Sequence, residues 1–284
     1  MTLLVLFRFV HYLCLMLLFG VSLLRPRLAP TAALQPLRRL MDPFLCLVAL
    51  LGLISGVGWL LSTSAEFSGS WAVGVQPVTL REVLFNTFFG KVWGVHIILC
   101  LIQLVYWRIP GRRSHTPALA LSTLALATLA PVGHVAMFSG PLASVMVLNQ
   151  LLHLVAAGAW LGGLFFLIWM SFLPQLIDFK KSVRAFSTLG VPLVAVVLAT
   201  GALSTRLITG QFLPTGSTFA SVLALKALAV LAMLGLAFYN RRQARQEVPQ
   251  GLRQALIAEA LLGSLALWAV AWLGTFPPGP MVAS

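Results

Sequence analysis

LASVMVLNQLLHLVAAGAWLGGLFFLIWMSFL, residues 142–173, decides the fold. The run contains no Asp, Glu, Lys or Arg. About 20 apolar residues in a helix cross the roughly 30 Å hydrocarbon core of a bilayer. This run is longer, so it reads as a tilted transmembrane helix with one end outside the lipid. Working outward, comparable apolar runs cover 183–205, 219–239 and 252–275 on the carboxyl-terminal side. On the amino-terminal side they cover 3–24, 43–62, 92–109 and 117–138. The expectation is an all-α polytopic membrane helix bundle of about eight transmembrane helices, one integral membrane domain over residues 1–284. Between 63 and 90 the sequence is less apolar, and its amphipathic piece at 80–89 suits the membrane interface.

Composition agrees. Hydrophobic residues make up 60% of the 284 and charged residues only 9%, against about 25% charged in a soluble domain. A soluble enzyme and a disordered chain are both excluded. The net charge of +13 points to topology rather than to nucleic acid, because the basic residues gather in alternate turns. Arg25, Arg27, Arg38 and Arg39 follow the first run, and Arg108, Arg112 and Arg113 the third. Lys180, Lys181 and Arg184 follow the fifth, and Arg241, Arg242, Arg245 and Arg253 the seventh. The other side has Arg81, Lys91 and Arg206. The positive-inside rule puts the crowded turns in the cytoplasm, so both termini are expected in the periplasm of a bacterial inner membrane.

Ionisable groups inside spans are costly and mark function. His11, His96, His134 and His153 fall within the expected spans, all in the outer half by count of residues. His11 and His153 are the deeper two, and His96 and His134 lie near the outer ends. Imidazole binds copper, zinc and iron. Met146, Asn149, Gln150, His153 and Trp160 share one helical stripe, and His134 with Met137 forms an i,i+3 pair. Thioethers favour Cu(I). Arg8 stands one turn from His11, where it either snorkels to the interface or faces an anionic group such as a haem propionate. Cys14, Cys46 and Cys100 lie in apolar runs without a CxxC spacing and read as small buried residues. Gly158 and Gly162 give the small-xxx-small spacing of closely packed helices. Walker, GxGxxG, GxSxG and HExxH motifs are absent. Glu259 is the acid clearly placed within a span, too little for a carboxylate proton relay.

Three stretches carry a family resemblance. RFVHYLCLMLLFG (8–20) resembles the first helix of the bacterial copper resistance protein D family. Gly133-His134 with LHLVAAGAWLGG (152–163) resembles its central signature, and Leu225-Lys226, Tyr239-Asn240-Arg241 and Glu259 resemble its carboxyl-terminal region, here about 183–275. The resemblance implies an eight-helix inner-membrane protein of periplasmic copper handling, working beside a CopC-like copper-binding protein. His11, His134 and His153 fall on its motif positions, and His96 falls outside them.

The function expected first is transport of copper ions inward from the periplasm. His134, Met137 and Met146 would form an outer site, and His11 with His153 a deeper one, with His96 a further candidate ligand. The alternative is a b-type haem protein passing electrons to a periplasmic copper protein or metal. Its bis-histidine ligands would be His11 with His153, or His96 with His134, and Arg8 would meet a propionate.

Overall fold

Proline and glycine set where the helices stop, and the stops move one expected span. In a computed structural model that describes residues 2–109, 115–176, 178–243 and 251–278, the chain is all helical. Its elements are α1 (Thr2–Leu28), α2 (Leu34–Ser68), the short α3 (Trp71–Gly74), α4 (Pro77–Asn86), α5 (Phe88–Arg108) and α6 (Thr116–Leu129). Then follow α7 (Gly140–Met170), α8 (Phe179–Thr209), α9 (Thr218–Gln243) and α10 (Leu252–Leu273). The basic-turn residues Arg112, Arg113 and Arg245 and the tail from 279 lie outside the described residues.

Among the described residues, seven helices are long and apolar enough to cross a membrane: α1, the helix built on α2, α5, and α7 to α10. The eighth expected span, 117–138, is corrected. Its helix α6 ends at Leu129 after 14 residues, about 21 Å of rise and short of the hydrocarbon thickness. Pro131 cannot continue the hydrogen-bond ladder. Gly133 then takes φ +79, a left-handed conformation that suits glycine, and opens a 3₁₀ turn, Gly133–Met137. His134 is therefore in a turn, not in a span. Most other helices start or end beyond the expected runs, while α5, α7 and α10 stop slightly earlier than expected. α2 runs through Pro43 and ends against Gly69 at φ 71. The amphipathic piece expected at 80–89 is α4 and stops at Asn86. Thr87 caps α5 there, its Oγ1 accepting from the Gly90 amide at 2.9 Å.

α1 is the central helix, packed on α2, α6, α7 and α10. Small residues let it approach α7: a Cβ added at Gly20 would stand 2.6 Å from the Gly162 Cα and collide with the Gly158 carbonyl. The small-xxx-small spacing thus holds α7 backbone to α1 backbone. α2, α5 and α6 line one side of α1, and α7 to α10 line the other. α8 buries the smallest share of its span, and its side chains are left for lipid. Trp59, Trp93 and Leu126 fill the core on the α2/α5/α6 side.

Candidate metal centre and adjoining cavity

α1, α2, α5 and α6 bring one group of ligand atoms together. His11 of α1 and His96 of α5 are both fully buried, and their Nε2 atoms stand 2.7 Å apart. Cys100, one turn along α5 from His96, places Sγ 3.3 Å from His96 Nε2. The ligand atoms of these three residues all lie within 4.8 Å of one another.

Hydrogen bonds fix which nitrogen of each ring carries a proton. His11 Nδ1 is 2.9 Å from the Gly52 carbonyl and 3.2 Å from Ser55 Oγ. The Ser55 hydroxyl already donates to that same carbonyl at 3.0 Å. Both neighbours can only accept, so His11 donates from Nδ1 and Nε2 holds a lone pair. His96 Nδ1 is 2.6 Å from Thr128 Oγ1, whose proton goes to the Ala125 carbonyl at 2.8 Å. His96 therefore also donates from Nδ1. Two Nε2 lone pairs face each other in the buried interior. They repel unless a cation lies between them: a shared proton or a metal ion. A second-layer acceptor on the far nitrogen is the usual support of a metal-bound imidazole.

Aromatic rings wall the cluster. Trp93 stacks on His96 with centroids 4.7 Å apart, and donates its indole N–H to the Gly56 carbonyl at 2.9 Å. Trp59 meets His11 edge-on at 5.8 Å. Arg8 lies over the Trp59 ring, its guanidinium carbon 5.1 Å from the ring centroid. Its Nε and Nη1 are buried with no hydrogen-bond partner among the described residues.

The other sequence candidates stand elsewhere. His11 is opposite His96, and the expected partner His153 instead lines a cavity of about 220 Å³ between α1 and α7 to α10. His153 Nδ1 donates to Thr200 Oγ1 at 2.8 Å, and Thr200 passes its own proton to the Val196 carbonyl. Asn149, on the same stripe as His153, donates to the Thr200 carbonyl and Ser204 Oγ. His134 reaches the same cavity from its turn and donates from Nε2 to the Phe276 carbonyl at 3.0 Å. Burial holds the His134 imidazole below its usual range; the Phe276 carbonyl opposes that and Arg8 adds to it. Met146 is fully buried in α7, whereas Met137 is exposed at the end of the turn Gly133–Met137. Glu259 meets neither Arg241 nor Arg253: its carboxylate accepts from Trp160 Nε1 and Asn240 Nδ2, each at 2.8 Å.

The expected bis-histidine haem pairs, His11 with His153 and His96 with His134, are not brought together: His11 faces His96, and His134 and His153 line the cavity. Imidazole–metal bonds of about 2.0 Å put the two nitrogens of a bis-histidine iron about 4 Å apart, with a macrocycle between them. His11 and His96 nearly touch, packed between tryptophans. The cavity beside His153 is below the roughly 300–1,000 Å³ of sites for drug-sized ligands.

Cys100, Thr128, Gly52 and Ser55 were not among the sequence candidates. The i,i+4 spacing of His96 and Cys100 puts both on one helical face and was a usable signal. The acceptors on α2 and α6 have no sequence signal, because only packing brings them to the rings.

Known proteins resemble this chain over most of its length. The N-terminal domain of copper resistance protein D-like proteins matches residues 1–145, and copper resistance protein D matches residues 180–273. The inner membrane protein YebZ of Escherichia coli (strain K12) is 34% identical over 82% of this chain and 81% of its own length. Copper resistance protein D of Pseudomonas syringae pv. tomato is 28% identical over 95% of both chains. The copper transport protein CutJ of Bacillus subtilis (strain 168) is 27% identical over 82% of this chain, which spans 45% of CutJ. No solved structure matches significantly. This chain belongs to the copper resistance protein D family.

Proposed function

We propose that this protein is an inner-membrane copper transporter that takes Cu(I) into the bundle at His11, His96 and Cys100. One observation carries the reading: two imidazole lone pairs and a thiol converge, with each ring's other nitrogen held by an acceptor. Two imidazoles and a thiolate suit Cu(I), and the Cys100 proton leaves as the metal binds. At metal–nitrogen distances of about 2.0 Å, two ligands of a trigonal ion lie about 3.5 Å apart. The rings therefore separate by somewhat under 1 Å on loading. The names of two relatives, copper resistance protein D and copper transport protein CutJ, support copper as the cargo. The name of YebZ supports the inner membrane. By the positive-inside rule the basic turns support a periplasmic placement of both termini, which would set the buried site nearer the side of a CopC-like periplasmic donor.

The test is a Cu(I) titration of the purified protein against a chromogenic Cu(I) chelator, followed by X-ray absorption at the copper edge. One ion per chain with two nitrogen ligands and one sulfur ligand is expected. Cys100→Ser should lose the sulfur scatterer and weaken binding. A folded wild type that takes up no copper, or whose copper has no sulfur neighbour, would overturn the proposal.

A further inference from the structure

The cavity beside His153 has a charge pattern unsuited to a bare cation. Among the described residues its ionisable lining consists of Lys226, His134, His153 and Tyr12, with no aspartate or glutamate. Glu259 lies behind Trp160, with its oxygens occupied by Trp160 and Asn240. Lys226 makes no hydrogen bond or ion pair among the described residues. A lysine ammonium in a membrane-embedded space without a counter-charge is costly, and such residues pair or mark ligand sites. Neutral donors stand beside it. Ser204 Oγ accepts from Asn149 at 2.8 Å, which leaves the Ser204 hydroxyl proton free. The Gln150 amide also lines the space. Apart from Thr205, whose hydroxyl donates to the Gly201 carbonyl, and Trp160, whose indole N–H goes to Glu259, the rest of the lining is apolar, with Leu154, Val197 and Leu223 among it.

From this pattern we infer that the cavity binds a monoanion, its charge set against Lys226 and its hydrogen bonds supplied by Ser204 and Gln150. The apolar lining favours an anion with an apolar body, such as a medium-chain carboxylate, over a fully hydrated one. About 220 Å³ suits one short chain or one ring. The anion supplies the counter-charge that Lys226 lacks. The inference is independent of the copper site, which lies across α1.

The full-length protein in nanodiscs, copper-free, would be titrated with octanoate labelled with ¹³C at the carboxyl carbon. Octan-1-ol serves as the uncharged control and chloride as the competitor. Wild type should bind octanoate saturably and at least tenfold more tightly than octan-1-ol. Lys226→Met should lose that preference while binding octan-1-ol as before, and Lys226→Arg should keep it. Competition by chloride at millimolar concentration would support a charge site and identify an inorganic anion as an alternative source. Should Lys226→Met fail to fold, Lys226→Gln makes the same test with a polar side chain of similar length. Octanoate binding that is unchanged in either neutral variant, or absent in wild type, would overturn the inference.

Discussion

The cluster on one side of α1 and the cavity on the other both hold two histidines, yet their chemistry differs. In the cluster, His11 and His96 each donate outward, to Gly52 and Thr128, and their acceptor nitrogens meet at 2.7 Å. In the cavity, His134 and His153 donate to the Phe276 carbonyl and to Thr200, and a lysine shares the space. The cluster is closed by tryptophans, whereas the cavity is open volume. A buried histidine is therefore not a ligand by virtue of its depth. Its second nitrogen and the charge of its neighbours decide whether a cation is attracted or repelled.

The contrast breaks most easily at the histidines themselves. His11→Ala or His96→Ala should weaken Cu(I) binding at least about 100-fold, and the double variant should be little worse than either single one, because one ion needs both. His153→Ala should leave Cu(I) affinity within about twofold. Chelator competition on folded protein reads all four. If His153→Ala loses copper as completely as His96→Ala, the two regions form one copper path and the contrast is gone.

The sequence shows why the contrast is not visible in it. Span counting places all four histidines in the outer half of the membrane, and that depth made His11 and His153 look like partners. Which face of α1 each neighbour occupies is set by packing, notably the Gly20 contact with Gly158 and Gly162. The small-xxx-small spacing was readable as close packing, but not as the choice of partner helix. The helical class, the membrane and the apolar runs were legible because a bilayer permits few alternatives. The shortening of α6 was only half legible. Pro131 and Gly133 stood in the sequence, but the apolar residues around them suggested a continuous span. In the sequence Cys100 reads as a packing residue, because its neighbour His11 stands 89 positions away.

A gentler test leaves the three ligands in place. Thr128→Val keeps the side-chain shape and removes the oxygen that accepts from His96 Nδ1. The ring then loses its reason to present Nε2 as a lone pair. Loss of such an outer partner typically costs about 10–100-fold in metal affinity, and that range is expected here. Thr128→Ser should restore most of it. Thr200→Val makes the equivalent change beside His153 and should leave copper affinity unchanged. An unaffected Thr128→Val protein would mean that the His96 tautomer is not set by this bond.

The smallest effect is expected at a fifth histidine, outside both regions. His115 precedes α6, with Nε2 2.6 Å from Arg38 Nη2 and Nδ1 3.4 Å from Arg25 Nη2. Burial, with the charges of Arg25 and Arg38, lowers its pKa to about 4, and Asp42 works the other way. At pH 7 the imidazole is neutral in both the folded and the unfolded chain, so it adds no pH dependence there. As pH falls below the usual value of about 6.5, the unfolded chain takes up a proton that the folded one refuses until about pH 4. Stability is therefore lost progressively between these two values. The group is partly exposed, and solvent screening leaves about 1 kcal/mol of this loss, or about 2–4 °C in melting temperature for a chain of this size. His115→Gln should melt as wild type does at pH 7 and retain those degrees at pH 4.5, while copper and anion binding stay unchanged. Parallel melting curves for the two proteins from pH 7 to pH 4.5 would show that His115 is not held neutral by Arg25 and Arg38.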